Sequence, residues 1–416
     1  MALAITVLAH YPPTAGLSMR AFVQLLCEDL EARGHRVRCE SAPVLLGRLR
    51  LPQTWRKWLG YVDCFVLYPL LFRCRQLLAP AADLYVLSDQ ALGPWLPLLG
   101  CHPHVIHCHD FLALDAALAA PGQHQHRIGW SGRLYQRLIR WGFGRGRCFL
   151  SVSQATRSQL HARLRQPPLL SAVLLNPVPE RFAPRSQASC APVLQAVFGA
   201  EVPQGFLLHV GRGWYKNRLG VLQIWERLRA GDASRQALPL VLVGALEPEL
   251  EAWVQQRPAL GPSLWVLDAA SGDLVVALYN RAAALLFPSY GEGFGWPVLE
   301  ALACGCAVVA TAIPPLLEVG GPWLTTMAPA PPPSEAGRQG WVAAGARALA
   351  AQLGLEAQAR ERQRQGGLAW VGRFRRSAWG DQLAIHYQQA LQLQLAPPPS
   401  SAHAHEAASA TGRGRC

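Results

Sequence analysis

The sequence predicts an α/β protein with two domains, each built on a doubly wound parallel sheet. The chain has 416 residues, 51% of them hydrophobic, which is enough for two cores because domains commonly run to about 100–200 residues. A strand, a glycine turn, a helix and a strand open the chain, and the same order returns after residue 205. Such βα repeats favour parallel sheets covered by helices.

The first half begins with an apolar strand at Ala4–Ala9, followed by Gly16. Apolar residues at helical spacing predict a helix over Met19–Arg33. Gly34 is suited to end this helix, because glycine adopts the left-handed conformation that a helix C-terminus requires. A second strand at Val37–Cys39 completes a βαβ unit.

Two further strands are predicted at Leu84–Leu87 and Val105–His107, and the second runs into His109 and Asp110. The surrounding stretch, CHPHVIHCHD, is rich in histidine and cysteine. Strand alternation places His107 and His109 on one face, where a zinc ion could bind. No second cluster supplies the remaining ligands at typical spacing, so we expect no structural zinc.

Two segments of the first half combine basic and aromatic residues. Arg48–Arg75 places Arg and Lys beside tryptophans and around an interrupted apolar stretch, a composition favoured at a membrane interface. The alternative is an amphipathic helix packed on its own sheet. The pattern of Ile128–Arg147 predicts a helix with a row of arginines. This row either faces solvent or contacts a phosphate-bearing acceptor or lipid headgroups. Those arginines are Arg133, Arg137 and Arg140.

The boundary between the domains is predicted within Leu174–Phe182, which two prolines stiffen. Before it, a strand at Cys148–Val152 leads to a helix capped by Ser153. The predicted units are residues 1–177, residues 178–372, a last helix at 373–395 and a tail at 396–416. The tail is rich in Pro, Ser, Ala and Gly, and we expect it to be disordered.

The second half repeats the alternation of strands and helices. The glycine loop after its first strand carries Lys216, whose ammonium can bind a diphosphate. Residues 325–337 are rich in proline. The predicted strands are Phe206–Val210, Leu240–Val243, Ser263–Leu267 and Ala282–Leu286, and the predicted helices are Trp341–Leu353, Leu355–Gln365 and Arg373–Leu395.

The segment Phe287–Gly320 reads FPSYGEGFGWPVLEALACGCAVVATAIPPLLEVG. A strand gives way to a glycine-punctuated loop, and a helix begins at Pro297, since proline suits the first helical position. Glu292 lies on the loop and Glu300 lies one turn into the helix. A helix N-terminus beside two carboxylates fits a ligand that is part phosphate and part polyol. The alternative is an ordinary βα unit whose glutamates favour the helix start.

This segment resembles the E-x7-E motif of retaining glycosyltransferases, specifically glycosyltransferase family 4 with its group 1 transferase domain. The resemblance extends through EGFG, the proline, EALACG and AVVAT, and it includes ARGHRV and LLNPVPERF earlier in the chain. It covers roughly residues 1–395 and is strongest from 206 to 320. It implies the GT-B fold, in which two Rossmann-like domains face each other and the last helix crosses back to the first domain.

The resemblance also implies roles for particular residues. Glu292 would approach the reacting face of the donor sugar, with His109 or Asp110 opposite it across the cleft. Tyr215 stands where the family often has a basic residue, so a second cation beside Lys216 would come from Arg212 or Arg218. The implied donor-binding residues are Gly16, Arg212, Lys216, Asn217, Gly293, Phe294, Gly295 and Glu300.

The implied function is a retaining glycosyltransferase that moves a hexose of the mannose or glucose type from a nucleoside-diphosphate sugar to a saccharide or lipid-linked acceptor, in envelope polysaccharide or glycolipid synthesis. We expect no bound cofactor and no metal, because cations take the metal's place and no Asp-x-Asp motif is evident. Two alternatives are a nucleotide-sugar epimerase of the same fold and a non-catalytic basic scaffold protein at a membrane surface. The scaffold reading predicts loss of Glu292, Glu300 or Lys216, and all three are present.

The net positive charge of the chain limits the classes of molecule that it is expected to bind. With 39 Lys+Arg against 26 Asp+Glu, the net charge is +13, which suits nucleic acid, an anionic membrane or phosphorylated substrates. No nucleic-acid-binding signature is found, so nucleic acid is not expected. No signal peptide and no apolar run of transmembrane length are evident. We therefore expect a cytoplasmic protein with peripheral contact at the inner face of the membrane. The sequence does not specify the sugar, the base, the acceptor or the oligomeric state.

Overall fold

The computed structural model describes residues 2–49, 52–78, 80–119, 128–199, 205–231, 238–331 and 335–396. Nearly all of the predicted tail at 396–416 lies outside these ranges. Within them the chain forms two six-stranded sheets, and every strand pair in both sheets is parallel. None of the helices in these ranges combines the length and the apolar character needed to cross a bilayer.

The first sheet has the strand order β2-β1-β3-β4-β5-β6. Its central strand β1 lies between β2 and β3, with Val7 opposite both Cys39 and Val86. The strands are β1 (Ala4–Leu8), β2 (Arg36–Glu40), β3 (Leu84–Leu87), β4 (His104–Cys108), β5 (Cys148–Ser151) and β6 (Leu170–Val173), and the helices are α1 (Leu17–Ala32), α2 (Gln53–Val62), α3 (Tyr68–Leu78), α4 (Leu112–Leu118), α5 (Trp130–Phe143) and α6 (Gln154–His161).

The second sheet has the strand order β12-β11-β10-β7-β8-β9. Its strands are β7 (Leu207–Val210), β8 (Leu240–Val243), β9 (Leu264–Leu267), β10 (Ala284–Phe287), β11 (Val308–Thr311) and β12 (Thr325–Met327). Its helices are α7 (Gln187–Phe198), α8 (Arg218–Gly231), α9 (Pro248–Gln255), α10 (Gly272–Arg281), α11 (Trp296–Ala303), α12 (Pro314–Gly320), α13 (Glu335–Leu353) and α14 (Ala357–Val371), and the chain ends in α15 (Arg376–Leu395).

Each sheet is covered on both faces. In the first sheet, alternate residues of the strands enter one apolar cluster with α1 and another with α5. In the second sheet, β10 contributes Leu285 and Phe287 to one cluster and Leu286 to the other. Strands buried on both faces explain the continuous apolar runs seen in the sequence, because parallel sheets expose neither face to water.

The last helix, α15, crosses back to the first domain, as the resemblance implies. Trp379, Leu383 and Tyr387 are buried in the cluster that holds β1 and α1. The hydroxyl group of Tyr387 lies 2.8 Å from Nε2 of His107 on β4. The two chain crossings between the domains lie side by side, since the N–H of Val178 donates to the carbonyl of Phe374 at 2.8 Å. The predicted boundaries at 177 and 372 stay predictions.

Several elements differ from the sequence-based expectation. The proline-rich stretch, for which the sequence predicts no strand, begins with β12, which pairs in parallel with β11. The interrupted stretch 48–75 forms α2 and α3, joined by a π-helical turn at Asp63–Leu67. Asp63 is buried there because its carboxylate accepts backbone N–H groups of residues 45–47. The last helix begins at Arg376, since residues 372–374 form a 3-10 turn. Other bounds shift by a few residues.

Candidate functional site

The loop after β10 meets the first domain at the cleft through Gly293. A side chain at this position would overlap the carbonyl oxygen of His109. The carbonyl of Gly293 accepts hydrogen bonds from the hydroxyls of Ser153 (2.7 Å) and Thr156 (3.2 Å). The predicted cap is confirmed, because Ser153 also accepts from the N–H of Thr156 at the start of α6. Only glycine allows the two backbones to approach this closely.

The two residues after Gly293 carry the loop into α11. Gly295 caps the helix with φ +101, a left-handed conformation that glycine adopts without strain. The helix begins at Trp296, one residue before the predicted start at Pro297. The ring of Phe294 is buried against Phe374 and Trp296, so its backbone is the part that remains for ligand contact.

A buried ion pair lies at the centre of the site. Nζ of Lys216 lies 2.8 Å from Oε1 of Glu292, and the two side chains are only 9% and 7% exposed. The same ammonium lies 4.6 Å from the centre of the Phe287 ring. Lys216 follows β7 and Glu292 follows β10, two neighbouring strands whose carboxyl ends meet at this edge, where doubly wound sheets bind ligands.

Asn217 holds this pair in place by joining the two loops. Its backbone has φ 52, the one positive φ recorded for a non-glycine residue in the described ranges. Its amide donates to the carbonyl of Pro288 at 3.0 Å, and its side-chain carbonyl accepts from the N–H of Gly220. Both polar groups of the Asn217 side chain are therefore hydrogen-bonded within the protein. This predicted donor-binding residue positions the loops that carry Lys216 and Glu292.

The two arginines considered as the second cation differ in their surroundings. The Arg218 guanidinium is buried and bonds the carbonyls of Gly244 and Ala245 and the carboxylate of Glu247. Arg212 is exposed, its stem lies over Gly244, and no hydrogen bond or ion pair is recorded for it within the described chain. Arg212 is thus the arginine that remains available to a ligand beside Lys216.

Glu300 on α11 is a partly buried acid, and Tyr279 is the one side-chain hydrogen-bond partner recorded for it among the described residues. The hydroxyl of Tyr279 donates to its Oε2 at 3.1 Å. Burial raises the pKa of Glu300 to about 7, although the Tyr279 hydrogen bond and the positive charges of Arg181 and Lys216 pull it down. The carboxyl group is poised to change charge near neutral pH when a polyol or a cation approaches.

His109 and Asp110 present two different groups on the first-domain side. Burial lowers the pKa of His109, and its Nε2 lies 3.0 Å from the carbonyl oxygen of Ser88; since that oxygen can only accept, Nε2 carries the proton. Burial, and then the charges of Asp89 and Glu292, raise the pKa of Asp110 to about 6. The loop that carries Glu292 comes close to Asp110, because a Cβ built on Gly293 would lie 2.9 Å from Cβ of Asp110.

Gly16 is a predicted site residue at the start of α1, and its part in donor binding stays a prediction. It caps α1 with φ −64, which any residue can adopt, and nothing lies within 4 Å of a Cβ built on it. Neither its backbone conformation nor its packing therefore requires glycine.

A second ion pair, which no sequence motif indicates, lies on the first-domain side between His10 after β1 and Asp89 after β3. Nε2 of His10 lies 3.1 Å from Oδ2 of Asp89. Burial would lower the pKa of His10, but the hydrogen bond to Asp89 and its charge raise it overall. The carboxyl end of each parallel strand points to the cleft, so examining the end of β3 as well as that of β4 would have found Asp89.

An aromatic cavity of about 580 Å³ opens beside His10. Its walls come from the loop after β1, from α2, from the 3-10 segment 90–99 and from α5. Tyr11 is fixed in the wall because its hydroxyl donates to buried Asp63 at 2.8 Å. Arg56 and Lys57 supply positive charge, and the aromatic lining residues are Tyr11, Tyr61, Phe65, Trp95 and Tyr135. Across the described ranges, no three His, Cys, Asp or Glu side chains gather as metal ligands would.

Part of the sequence is similar to known glycosyltransferases. Residues 204–352 match the family model described as Glycosyl transferases group 1. The O-antigen chain mannosyltransferase B of Escherichia coli is 31% identical over 175 residues, covering 41% of this chain and 45% of that protein. The D-inositol 3-phosphate glycosyltransferase of Salinispora arenicola is 38% identical over 104 residues, covering 21% and 22%. The matched stretches thus span less than half the length of these curated relatives.

Solved structures resemble nearly the whole chain. Sucrose-phosphate synthase from Thermosynechococcus elongatus superposes with a TM-score of 0.68 at 18% identity, covering 92% of this chain and 98% of the other. WaaG, a glycosyltransferase involved in lipopolysaccharide biosynthesis, superposes with a TM-score of 0.62 at 18% identity, covering 94% and 100%. At these identities the likeness shows the fold, and the expected GT-B architecture is confirmed. Together with the family model, it supports a GT-B glycosyltransferase.

Proposed function

We propose that this protein is a retaining glycosyltransferase of family 4 that transfers a hexose from a nucleoside-diphosphate sugar to a saccharide or lipid-linked acceptor. The observation that carries the proposal is the buried pair of Lys216 and Glu292, 2.8 Å apart at the edge of the second sheet. Mannose is the favoured sugar, because one relative is named as a mannosyltransferase of the O-antigen chain. That name also favours a role in envelope polysaccharide synthesis.

In this proposal the donor exchanges partners with the ion pair. The diphosphate binds Lys216 and Arg212, which frees Glu292 to face the sugar. As the bond between the anomeric carbon and the diphosphate breaks, the two cations stabilise the negative charge that builds on the leaving group. Glu292 stabilises the positive charge that develops on the sugar ring. These cations supply the charge that a metal ion would otherwise provide, so the proposed reaction needs no metal.

Glu300 and the glycine loop orient the donor in this scheme. Ionised Glu300 accepts hydrogen bonds from the ribose hydroxyls, and the N–H groups of residues 293–295 bind sugar and phosphate oxygens near the start of α11. On the opposite side of the cleft, Asp110 has a carboxyl group with a pKa of about 6. A general acid or base works best when its pKa lies near the pH at which the enzyme operates.

The aromatic cavity is the proposed acceptor site. One of its walls is the 3-10 segment 90–99, and Gln90 of that segment donates to the carbonyl of Asp110 and accepts from the N–H of His109. The cavity therefore adjoins the residues that would face the donor sugar. Aromatic walls with a few charged groups are typical of sites for small ligands. Arg56 and Lys57 favour an anionic acceptor.

The test is a screen of the purified protein for thermal stabilisation and donor hydrolysis. The donors are GDP-mannose, UDP-glucose, UDP-GlcNAc and UDP-galactose, each with and without a divalent metal. A donor at a hundredfold excess over its Kd adds about 2.7 kcal/mol of stability. We expect one donor to stabilise the wild type and the control Arg227→Ala, but not Lys216→Ala or Glu300→Ala. If no donor stabilises the protein, or if the sugar is epimerised without transfer, the proposal is wrong.

A further inference from the structure

Helix α5 presents an exposed apolar stripe to solvent. Trp130, Leu134, Leu138 and Trp141 recur at helical spacing along it, and they are 72%, 58%, 36% and 47% exposed. The opposite face of the same helix is the one that packs, since Ile139 and Phe143 are buried. Apolar side chains exposed in a continuous row are unusual on a soluble surface and mark a contact with something else.

A row of cations runs beside this stripe. Arg133, Arg137 and Arg140 are exposed, and each immediately precedes an apolar residue of the stripe. Neither α5 nor α2 contains an Asp or Glu. A solvated helix face normally mixes charges of both signs, whereas this face carries one sign only.

Helix α2 extends the same surface. Trp55 and Trp58 on α2 are 63% and 47% exposed, and the ring of Trp58 lies 6.3 Å from that of Trp130. On the inner side of the two helices, Tyr61 of α2 packs against Tyr135 of α5 with ring centres 5.5 Å apart. The two helices therefore form one unit, with tryptophans outside and the wall of the aromatic cavity inside. We call its outer surface the α2–α5 face: Trp55, Lys57, Trp58, Trp130, Arg133, Leu134, Arg137, Leu138, Arg140 and Trp141.

We propose that the α2–α5 face docks on an anionic lipid bilayer. Tryptophan favours the interface between headgroups and acyl chains, and a helix lying in that interface combines an apolar face with Lys and Arg. The row of arginines complements the negative charge of anionic headgroups. A second copy of the chain is a poorer occupant, because a twofold interface would set the same arginines against each other.

Docking at this face would bring the cavity to the membrane. Lys57 belongs to the face and also lines the cavity, and Tyr61 and Tyr135 line the cavity from the same two helices. An acceptor whose lipid chain remains in the bilayer could then enter the cavity without being extracted into water. Bilayer docking itself is independent of the proposed reaction, since it needs no donor.

Co-sedimentation with vesicles tests the proposal on the full chain without any nucleotide sugar. The vesicles are phosphatidylcholine alone, or phosphatidylcholine with one quarter phosphatidylglycerol. We expect binding only to the anionic vesicles, weakened at high salt because ions screen exposed charges. Replacing Arg133, Arg137 and Arg140 by Gln should weaken binding about a hundredfold, since each cation near an anionic surface contributes about fivefold.

Matched control variants distinguish an effect of the α2–α5 face on vesicle binding from an effect of net charge or overall hydrophobicity. Arg227, Arg347 and Arg362 are exposed on the second domain, and their triple change to Gln alters the net charge equally but should leave binding within about twofold. The double change Trp130→Ser and Leu134→Ser should lose at least tenfold, whereas Ile385→Ser with Leu393→Ser on α15 should not. Donor hydrolysis and melting temperature should stay unchanged in all four variants.

Three outcomes would overturn the proposal. Equal binding to neutral vesicles would remove the role of the arginines, and equal loss in the control triple variant would show an effect of net charge alone. A wild-type dimer in solution that Trp130→Ser with Leu134→Ser converts to monomer would show that a second copy covers the face. Because co-sedimentation and the measurement of oligomeric state use no donor, they leave the proposed transferase activity to its own test.

Discussion

Removing the ammonium of Lys216 should destabilise the second domain through the carboxylate that it leaves behind. We consider Lys216→Met, which keeps most of the side-chain volume. Glu292 is only 7% exposed, so without Lys216 its negative charge has neither water nor a partner cation. The substitution changes the free energy of the folded state only, because both charged groups are hydrated in the unfolded chain.

The magnitude follows from the geometry. At 2.8 Å, two unit charges attract by about 6 kcal/mol at an effective dielectric constant of about 20. Part of this attraction offsets the cost of burying both charges, and breaking a buried pair from one side costs about 3–5 kcal/mol. A domain of this size loses about 2–4 °C of melting temperature per kcal/mol. We therefore expect Lys216→Met to lower the melting temperature by roughly 10 °C.

A double-mutant cycle measures the coupling between the two side chains. The variants are Lys216→Met, Glu292→Gln and the double variant, each unfolded in urea without ligand. The double variant should be more stable than Lys216→Met, because no buried charge is then left unpaired. We expect a coupling free energy of about 2–3 kcal/mol. Additive effects, or a Lys216→Met protein that melts within 2 °C of the wild type, would refute the ion pair as a structural element.

Three further predictions concern the same cleft. The pKa of Glu300 is raised to about 7, so donor binding measured by calorimetry should weaken about tenfold from pH 8 to pH 6. Because the raised pKa means that the ionised carboxylate destabilises the folded state, Glu300→Gln should melt at a higher temperature than the wild type at pH 8. This difference in melting temperature should shrink as the pH falls from 7 towards 4.5. Gly293→Ala should reduce transfer at least a hundredfold and increase the radius of gyration in small-angle scattering, because its methyl group would overlap the first-domain backbone, whereas Gly340→Ala, with open space around its Cβ, should do neither. Arg212→Gln should weaken binding of the nucleoside diphosphate about tenfold or more at unchanged melting temperature, as charge-assisted hydrogen bonds contribute about 1.5–3 kcal/mol, while Arg218→Gln should mainly lower the melting temperature; the opposite pattern would exchange their roles.

The architecture was predictable because its signals are local. An apolar strand followed by a glycine and then by helical spacing marks each βα unit, and β3 and β8 were predicted with the bounds that the structure has. Strand β12 was not predictable in this way. Its three residues, Thr325–Met327, are followed by a proline-rich stretch, and only their pairing with β11 makes them a strand.

The site was predictable in part for a similar reason. Glu292, Glu300 and Lys216 belong to continuous motifs, and the structure brings Glu292 and Lys216 together. The partner of His10 is Asp89, 79 residues later, and the closeness of such distant residues follows from strand order rather than from any motif. The availability of Arg212 and the engagement of Arg218 likewise depend on the loop after β8, whose carbonyls bind only Arg218.

The crossing helix α15 has a consequence for how the chain folds during synthesis. Trp379, Leu383 and Tyr387 complete the core around β1, yet they leave the ribosome about two hundred residues after the rest of that domain. At about 5–20 residues per second, this delay lasts roughly 10–40 s. The nascent first domain must wait with an open apolar groove over α1 while the second domain, all of whose strands emerge earlier than α15, can fold first. The second domain, which lies between the two parts of the first domain in the chain, can therefore complete its fold before the first domain does.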